Sequence, residues 1–381
     1  MFDDTDEFLK DLHPTDYRSL VVYSRDWTVA TVLEQIEAGN IDLDPDFQRR
    51  NAWTDDKRSG LIESLIVGIP VPQIVFAENP KKRKSFIVID GRQRLLTLAG
   101  FVKPETVKFW NKPQLKNLEL RADLEGETYE SLRLENPDAL RELDNADVRC
   151  AVIASKEATN DLLYYVFYRL NSGSVSLSTQ ELRQALNRGP FSTYLGKLTS
   201  DKIDLHSVMG LKGPDDRYRD SEVLLRYFAF SLFLSDYRGN LKGFLDTAMS
   251  KLNLEYPKYE NRLKTTYFRL NETITRLERI FGKDNVGKRP LLESNGYDRR
   301  FNRALFEVEV YFIKQISEAQ LKGKTTKIKK AVEQLFEKND SFRQSVTSTT
   351  KSLEQYSIRF SAMGEAVAKA SGVELKIPDF T

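Results

Sequence analysis

Apolar positions in the N-terminal part of the chain follow two patterns. Spacings of three and four residues predict amphipathic helices over 28–38, 54–68 and 92–101. Short, almost continuously apolar runs predict three strands, over 73–77, 85–89 and 148–153. The run 85–89 has the composition of a strand covered on both faces. Alternating strands and helices predict a small α/β domain over residues 27–155, preceded by an N-terminal extension, residues 1–26.

The sequence also marks where these helices begin and end. Thr54 is a favourable N-cap, and the acidic Asp55 and Asp56 follow it in the first turn, where the helix dipole favours negative charge. Gly39 and Gly68 stand at the expected C-terminal ends of the first two helices. These signals predict defined ends for the helices that flank the strands.

From Glu157 onward the pattern is helical. Ser178 with Glu181 three residues later predicts a capping box. Helical spacing continues over 221–234, 259–280, 301–321 and 326–338. Residues 103–147 show no clear periodicity, which is typical of an insertion. The predicted fold class is α+β, with the N-terminal α/β domain followed by a mainly helical domain over residues 156–381.

Composition excludes several classes of protein. The chain has 381 residues, a net charge of +2, one cysteine and two histidines. A disulfide framework and a CxxC zinc site are therefore excluded, and two histidines leave little room for a histidine-based metal cluster. We expect Cys150 to be buried, and His13 and His206 to have surface or structural roles. The acidic N-terminus does not resemble a signal peptide, and the apolar stretch 223–234 is too short to span a bilayer. These features predict a cytoplasmic protein without a membrane partner.

The first candidate site is Asp90-Gly91-Arg92-Gln93-Arg94, which we call the DGRQR motif. It lies between a predicted buried strand and a predicted helix. The start of a helix offers N–H groups and a positive dipole end to an anion such as phosphate, and arginines add forked donors. Asp90 could hold Mg²⁺, position a water or accept a proton. The structural alternative is that Asp90 caps the helix and Arg94 pairs with a carboxylate.

Two further segments carry candidate ligand contacts. Gln48 and Arg49 precede a capped helix and could reach a phosphate, whereas Trp53 could stack on a base or, as we favour, anchor a core. Asn171 and Gly173 follow a helix rich in aromatic residues, where Asn171 could contact a ligand. A C-cap at Gly173 explains most of this second pattern.

Together these segments resemble the N-terminal domain of GmrSD-type (type IV) restriction systems, a ParB/sulfiredoxin-like domain. The family's hallmark Asp-Gly-Gln-Gln-Arg matches the DGRQR motif, with Arg92 in place of the first Gln. The Gln48-Arg49 pair and Trp53 match a motif upstream of it. The ranges 61–76 and 167–185 match the family's helix, Pro-x-Pro and strand, and its later Asn-Gly and Leu-Ser pattern.

The resemblance implies a protein that senses foreign or modified DNA and hydrolyses a nucleoside triphosphate, with Mg²⁺ as the expected cofactor, held by Asp90. It implies that the nucleotide pocket holds the DGRQR motif, with Gln48 and Arg49 opposite. The implied catalytic residues are Asp90, Gln93, Arg94 and Arg49. The implied nucleotide contacts are Gln48, Arg49, Gly91, Arg92, Arg94 and Asn171. The substitution at Arg92 adds a charge that could alter nucleotide choice or rate.

The resemblance also implies partners. Many relatives carry a His-Asn-His nuclease domain, whereas this sequence has no histidine after His206, so we expect a separate nuclease or effector protein to cut DNA. The basic turn Lys81-Lys82-Arg83-Lys84 is a candidate contact to DNA phosphates. One alternative function is a DNA-binding sensor or adaptor without catalysis. Another is a metal-dependent nuclease using Asp44, Asp46 and Asp90. The sequence leaves the nucleotide and the oligomeric state open.

Overall fold

The chain divides into two compact units, residues 1–186 and 187–381. The structure, a computed structural model, describes residues 21–41, 43, 53–79, 82–106, 110, 112–154, 163, 166, 178–291, 296–347 and 352–380. The described fold is α+β, as predicted: the first unit holds a small sheet with helices, and the second is helical. The division between the units lies C-terminal to the residue-155 boundary drawn from sequence pattern.

A four-stranded mixed sheet organises the first unit. Its strands are β1 (Val22–Thr28), β2 (Ile74–Glu78), β3 (Phe86–Asp90) and β4 (Asp147–Ile153). The order across the sheet is β1-β4-β2-β3, in which β4 is antiparallel to β1 and parallel to β2, and β3 is antiparallel to β2. The predicted runs therefore form β2, β3 and β4, and β3 ends at the DGRQR motif.

The sequence pattern does not predict β1. This strand lies at the edge of the sheet and crosses the predicted boundary between the N-terminal extension and the α/β domain. Most of its side chains are exposed, and only Tyr23 and Trp27 pack against the core. An edge strand with one weakly buried face keeps polar residues such as Ser24 and Asp26, which weakens the apolar signal.

Helices pack on both faces of this sheet. They are α1 (Val29–Glu37), α2 (Asp55–Val67), α3 (Arg92–Val102), α4 (Tyr129–Glu135), α5 (Pro137–Asn145) and α6 (Thr179–Leu186). The predicted caps are confirmed, since Thr54 Oγ1 accepts a hydrogen bond from Lys57 N at 3.4 Å and Gly68 ends α2 at φ +79°. Ser178 caps α6 by accepting from Glu181 N at 3.2 Å.

The core of the first unit has two parts. Val88 faces the larger cluster, whereas Ile87 and Ile89 face a smaller one that includes Leu186 of α6. Both faces of β3 are therefore covered, as predicted. The segment 103–147 contributes buried residues to the larger cluster, so it is an integral part of the domain. These residues are Trp110, Leu115, Leu124, Leu132, Ala139 and Leu143.

The second unit is a helical assembly around one core. Its helices are α7 (Pro190–Leu198), α8 (Asp204–Val208), α9 (Arg219–Phe233), α10 (Leu241–Leu254), α11 (Tyr256–Phe281), α12 (Arg303–Ile313), α13 (Glu318–Leu321), α14 (Thr325–Lys338), α15 (Asp340–Thr347) and α16 (Leu353–Ser371). The single helix predicted over 301–321 is wrong: α12 ends at Ile313, and Ser317 caps the short α13. The described helices include none whose length and apolarity would let it cross a membrane.

The cysteine and one histidine are structural groups. Cys150 is 2% exposed, and burial raises the pKa of its thiol to about 12, so it is a poor nucleophile. His206 is fully buried; its Nδ1 accepts from Ile203 N at 3.0 Å and its Nε2 lies 2.8 Å from Asp220 Oδ2. These contacts confirm the predicted roles, while His13 lies outside the described residues.

Candidate functional site

The turn from β3 into α3 brings the DGRQR motif to one point. Asp90 is the last residue of β3, and Gly91 follows at φ +95°, a conformation that side chains other than hydrogen disfavour. A Cβ at Gly91 would also lie only 2.9 Å from Ile74 Cγ1 and 3.0 Å from Arg94 Nη2. The close approach of β2 to the start of α3 therefore requires glycine here.

The N-terminus of α3 carries no capping side chain among the described residues. Gly91 is its N-cap residue, and no acidic residue lies in its first turn. The first N–H groups of a helix have no intrahelical partner, so those of Arg92, Gln93 and Arg94 point towards the turn. Together with the helix dipole they favour phosphate or another anion. The alternative in which Asp90 caps this helix is wrong.

Arg94 is held in place by an ion pair. Its Nη2 lies 2.8 Å from Asp90 Oδ2 and donates to the carbonyl oxygen of Gln73 at 3.2 Å. The side chain of Arg94 is 13% exposed, against 37% for Asp90. The alternative in which Arg94 pairs with a carboxylate is therefore confirmed. The Nε atom of Arg94 is buried and has no hydrogen-bond partner among the described residues.

Gln93 carries the second unpaired polar atom of the motif. Its main-chain carbonyl accepts a hydrogen bond from Thr97 Oγ1 at 2.8 Å. Its side-chain Oε1 is buried and, within the described part of the chain, has no partner. A buried acceptor without a donor costs roughly 1–3 kcal/mol, so such atoms usually meet a ligand or a water.

Arg92 links the motif to the upstream segment. Its Nη2 donates to the carbonyl oxygen of Leu43 at 2.9 Å. Leu43 directly precedes 44–52, which carries Gln48 and Arg49 and lies outside the described residues, as do Asn171 and Lys81. The pocket positions proposed for Gln48, Arg49 and Asn171, and the DNA contact proposed for Lys81, therefore stay predictions.

The basic turn before β3 does not meet the motif. Lys82, Arg83 and Lys84 are exposed, and Lys82 Nζ donates to the carbonyl oxygen of Gly39 at 2.7 Å. This turn lies at the start of β3, whereas Asp90 ends the strand, roughly 13 Å further along it. A DNA contact at this turn would be separate from the phosphate-binding end.

A magnesium site at Asp90 would depend on the nucleotide for most of its ligands. No cluster of three or more acidic, histidine or cysteine side chains suited to a metal occurs in the ranges that the structure covers. Mg²⁺ in phosphate-transfer sites needs only one or two carboxylates, because phosphate oxygens and waters supply the rest. The single carboxylate of Asp90, one oxygen of which contacts Arg94, fits this kind of site and not an all-protein cage.

A comparison with family models matches the segment that contains the DGRQR motif. Residues 29–187 match the model of the N-terminal domain of the GmrSD restriction endonuclease. This segment is similar to a GmrSD-type N-terminal domain. It occupies less than half of the chain and contains β2, β3, β4 and α6. The similarity links the chain to restriction and defence proteins. Searches of curated proteins and of solved structures returned no significant match.

Sequence reasoning missed the two carbonyl groups that fix the arginines of the DGRQR motif. Gln73 and Leu43 contribute main-chain oxygens, which any residue type could supply, so no sequence signal identifies them. Trp53 is half-buried and packs against the larger core cluster, with Lys57 Nζ 5.1 Å from its ring centroid. This position favours a role for Trp53 in anchoring the core over a role in stacking on a base.

Proposed function

We propose that this protein binds and hydrolyses a nucleoside triphosphate at the DGRQR motif, as part of bacterial defence against phage DNA. In this proposal the reaction is coupled to DNA sensing in the cytoplasm and to a separate nuclease or effector. The observation that carries the proposal is the open N-terminus of α3, with two arginines beside it, in a GmrSD-type domain.

The triphosphate would lie against the first turn of α3. Main-chain N–H groups and the guanidinium groups of Arg92 and Arg94 would donate to its phosphate oxygens. The Asp90 carboxylate already orients Arg94 at 2.8 Å, so little side-chain ordering would be needed on binding. Gln48 and Asn171 are proposed as further nucleotide contacts.

Hydrolysis requires an oriented water and a stabilised phosphate. The unpaired Oε1 of Gln93 is an acceptor for a proton of the attacking water, which would turn the water's lone pair towards the γ-phosphate. Mg²⁺, where bound at Asp90, would neutralise phosphate charge. Arg49 would stabilise the charge that develops as the terminal phosphate leaves.

Phosphate release from ATP, GTP, CTP and UTP, with and without DNA, tests this function. We expect turnover of at least one nucleotide by the wild type. Because Gln93→Ala removes only the water-positioning group, it should lower the turnover rate by about 100-fold and leave nucleotide affinity nearly unchanged. Arg94→Ala should weaken both binding and turnover, since Arg94 contacts phosphate in this proposal.

A matched control separates loss of function from loss of an ion pair. Arg141 and Asp138 form an exposed pair on α5, three residues apart, in the same unit. Arg141→Ala should leave turnover and nucleotide binding unchanged. If Gln93→Ala and Arg94→Ala are both folded and hydrolyse nucleotide at the wild-type rate, the proposed site is refuted.

The second candidate function is a DNA-binding sensor without catalysis. The Asp90–Arg94 ion pair favours it, because a carboxylate committed to an arginine has less capacity to organise a metal or a water. In that case Lys81, Lys82, Arg83 and Lys84 would contact DNA, with affinity that falls steeply as salt rises. DNA binding without turnover of any nucleotide would select this function over hydrolysis.

A further inference from the structure

A pocket lies entirely within the helical unit. It opens between α9 and α12, with Phe360 of α16 at its side. Its enclosed volume is about 30 Å³, and the figure rises to about 430 Å³ only when the space open to solvent is included. Apolar and aromatic side chains form most of the wall, as in many small-molecule sites. They include Val223, Tyr227, Phe230, Phe306, Tyr311 and Phe360.

Lys314 brings an ammonium group to this wall. Its Nζ lies 4.7 Å from the ring centroid of Tyr311 and 5.8 Å from that of Tyr227. Among the residues that the structure describes, no carboxylate pairs with it. Burial lowers its pKa to about 8, with a smaller contribution from Arg269. Holding a cation in this setting costs free energy, which an anion in the pocket would offset.

Glu307 adds an unpaired oxygen to the same pocket. Its side chain is only 8% exposed, its Oε2 accepts from Tyr356 Oη at 3.0 Å, and Arg359 Nη2 lies 3.7 Å from that oxygen. Its Oε1 is buried and has no hydrogen-bond partner in the described chain. Burial raises the pKa of this carboxyl, which favours its protonated form and makes Oε1 a potential donor.

Two arginines complete the polar lining. Arg226 Nη2 lies 2.6 Å from Glu222 Oε1, and Arg303 Nη1 lies 3.6 Å from the same oxygen. Both guanidinium groups therefore contact the same carboxylate, and Lys314 is the third cationic side chain of the lining. The pocket lining thus combines three cationic side chains with an aromatic wall.

We propose that this pocket binds a small organic anion, with an apolar body against the aromatic wall and a carboxylate or phosphate group at Lys314. A polar atom of the ligand, or the anionic group itself, would satisfy Oε1 of Glu307. The inference is independent of nucleotide hydrolysis, because every residue involved belongs to the second unit.

Isothermal titration of the full-length protein with four probes tests this site. Benzoate and phenyl phosphate carry both the apolar body and the charge, benzamide lacks the charge, and inorganic phosphate lacks the body. We expect benzoate or phenyl phosphate to bind more tightly than benzamide and inorganic phosphate. Lys314→Met should weaken that binding by at least about 10-fold, because it removes the charge and keeps an apolar stem.

Lys251→Met is the matched control. Lys251 Nζ lies 4.6 Å from the ring centroid of Phe233, so it is also a lysine over an aromatic ring in this unit, but it does not line the pocket. Its loss should not change probe binding. If Lys314→Met alters the circular dichroism spectrum, Lys314→Gln provides the same test with a polar side chain.

Three results would overturn the inference. One is that neither charged probe binds with a dissociation constant below about 10 mM, which would identify the pocket as a hydrated packing gap. Another is equal affinity of Lys314→Met and wild type, which would place probe binding elsewhere. The third is that benzamide binds as tightly as benzoate, because the lining would then recognise shape without charge.

Discussion

At the scale of single residues, Gly91 combines two separable constraints. Its φ of +95° disfavours a side chain, and a Cβ would approach Ile74 to 2.9 Å. Gly126, in the same unit, has φ +84° with nothing within 4 Å of the position that a Cβ would take, so it isolates the backbone constraint. We expect Gly126→Ala to cost about 1 kcal/mol of the free energy of unfolding, and Gly91→Ala about 2–3 kcal/mol.

Urea unfolding of both variants measures this difference. Nucleotide binding adds a second measurement, since a shift between Ile74 and α3 would displace the first-turn N–H groups in Gly91→Ala only. Equal destabilisation by the two substitutions would show that β2 can shift at no measurable cost. The close approach of Ile74 would then not explain the glycine at position 91.

Glu309 provides a residue-scale prediction about pH. Its side chain is buried, its Oε2 accepts from Gly287 N at 2.9 Å, and burial raises its pKa to about 8. The folded state therefore binds a proton that the unfolded state releases near pH 4.5. Stability from this group is fully present below about pH 4.5 and is lost progressively as the pH rises to about 8.

Glu309→Gln should remove this dependence. Relative to wild type, the free energy of unfolding of the variant should rise by on the order of 3 kcal/mol as the pH increases from 5 to 9. Chemical denaturation at several pH values measures the gain. Glu318→Gln is the control, because Arg276 and Arg279 lower the pKa of this half-exposed carboxyl, so it should show no gain at high pH. A stability difference between Glu309→Gln and wild type that does not change with pH would contradict the raised pKa of Glu309.

At the scale of elements, the N-cap residue of helix α12, Asn302, makes two side-chain hydrogen bonds. Asn302 Oδ1 accepts from Leu305 N at 2.9 Å, and its Nδ2 donates to the carbonyl oxygen of Val346 at 2.6 Å. Asn240 caps α10 in the same way, through Gly243 N at 2.9 Å. We expect Asn240→Ala to cost about 1 kcal/mol and Asn302→Ala about 2 kcal/mol, as measured by urea unfolding. Equal costs would show that the bond to Val346 adds no net stability.

Sequence predicted the elements that have local signals and missed those defined by their neighbours. Thr54 and Gly68 marked the ends of α2, because caps act within a few residues. The strand β1 was missed because it lies at the sheet edge, where polar residues such as Ser24 and Asp26 weaken the apolar signal and only pairing with the distant β4 defines the strand. The break after Ile313 was missed because buried residues such as Ile316 continue the apolar spacing through it.

The same distinction applies to the sites. The DGRQR motif is contiguous, so its turn and its open helix start could be predicted from residues 87–94 alone. The pocket at Lys314 could not, because α9, α12 and α16 supply its lining and only their packing brings Arg226, Glu307 and Phe360 together. Burial of Glu307 and the missing partner of Oε1 among the described residues likewise depend on tertiary structure.

At the scale of the whole molecule, each unit has its own hydrophobic core. The buried clusters of the first unit and the single large cluster of the second share no residue. The cluster of the second unit extends from Phe191 to Phe380, within residues 187–381. A unit with an independent core of this size is expected to fold by itself.

We therefore predict that a fragment of residues 187–381 folds cooperatively. Circular dichroism should show a helical spectrum and a single unfolding transition, because one continuous core joins its helices. The fragment should keep the benzoate affinity of the full-length protein and release no phosphate from nucleotides, since the DGRQR motif lies in the other unit. A folded fragment that hydrolyses nucleotide would move the catalytic site away from the GmrSD-type domain. A fragment without cooperative unfolding would show that the helical core needs the first unit.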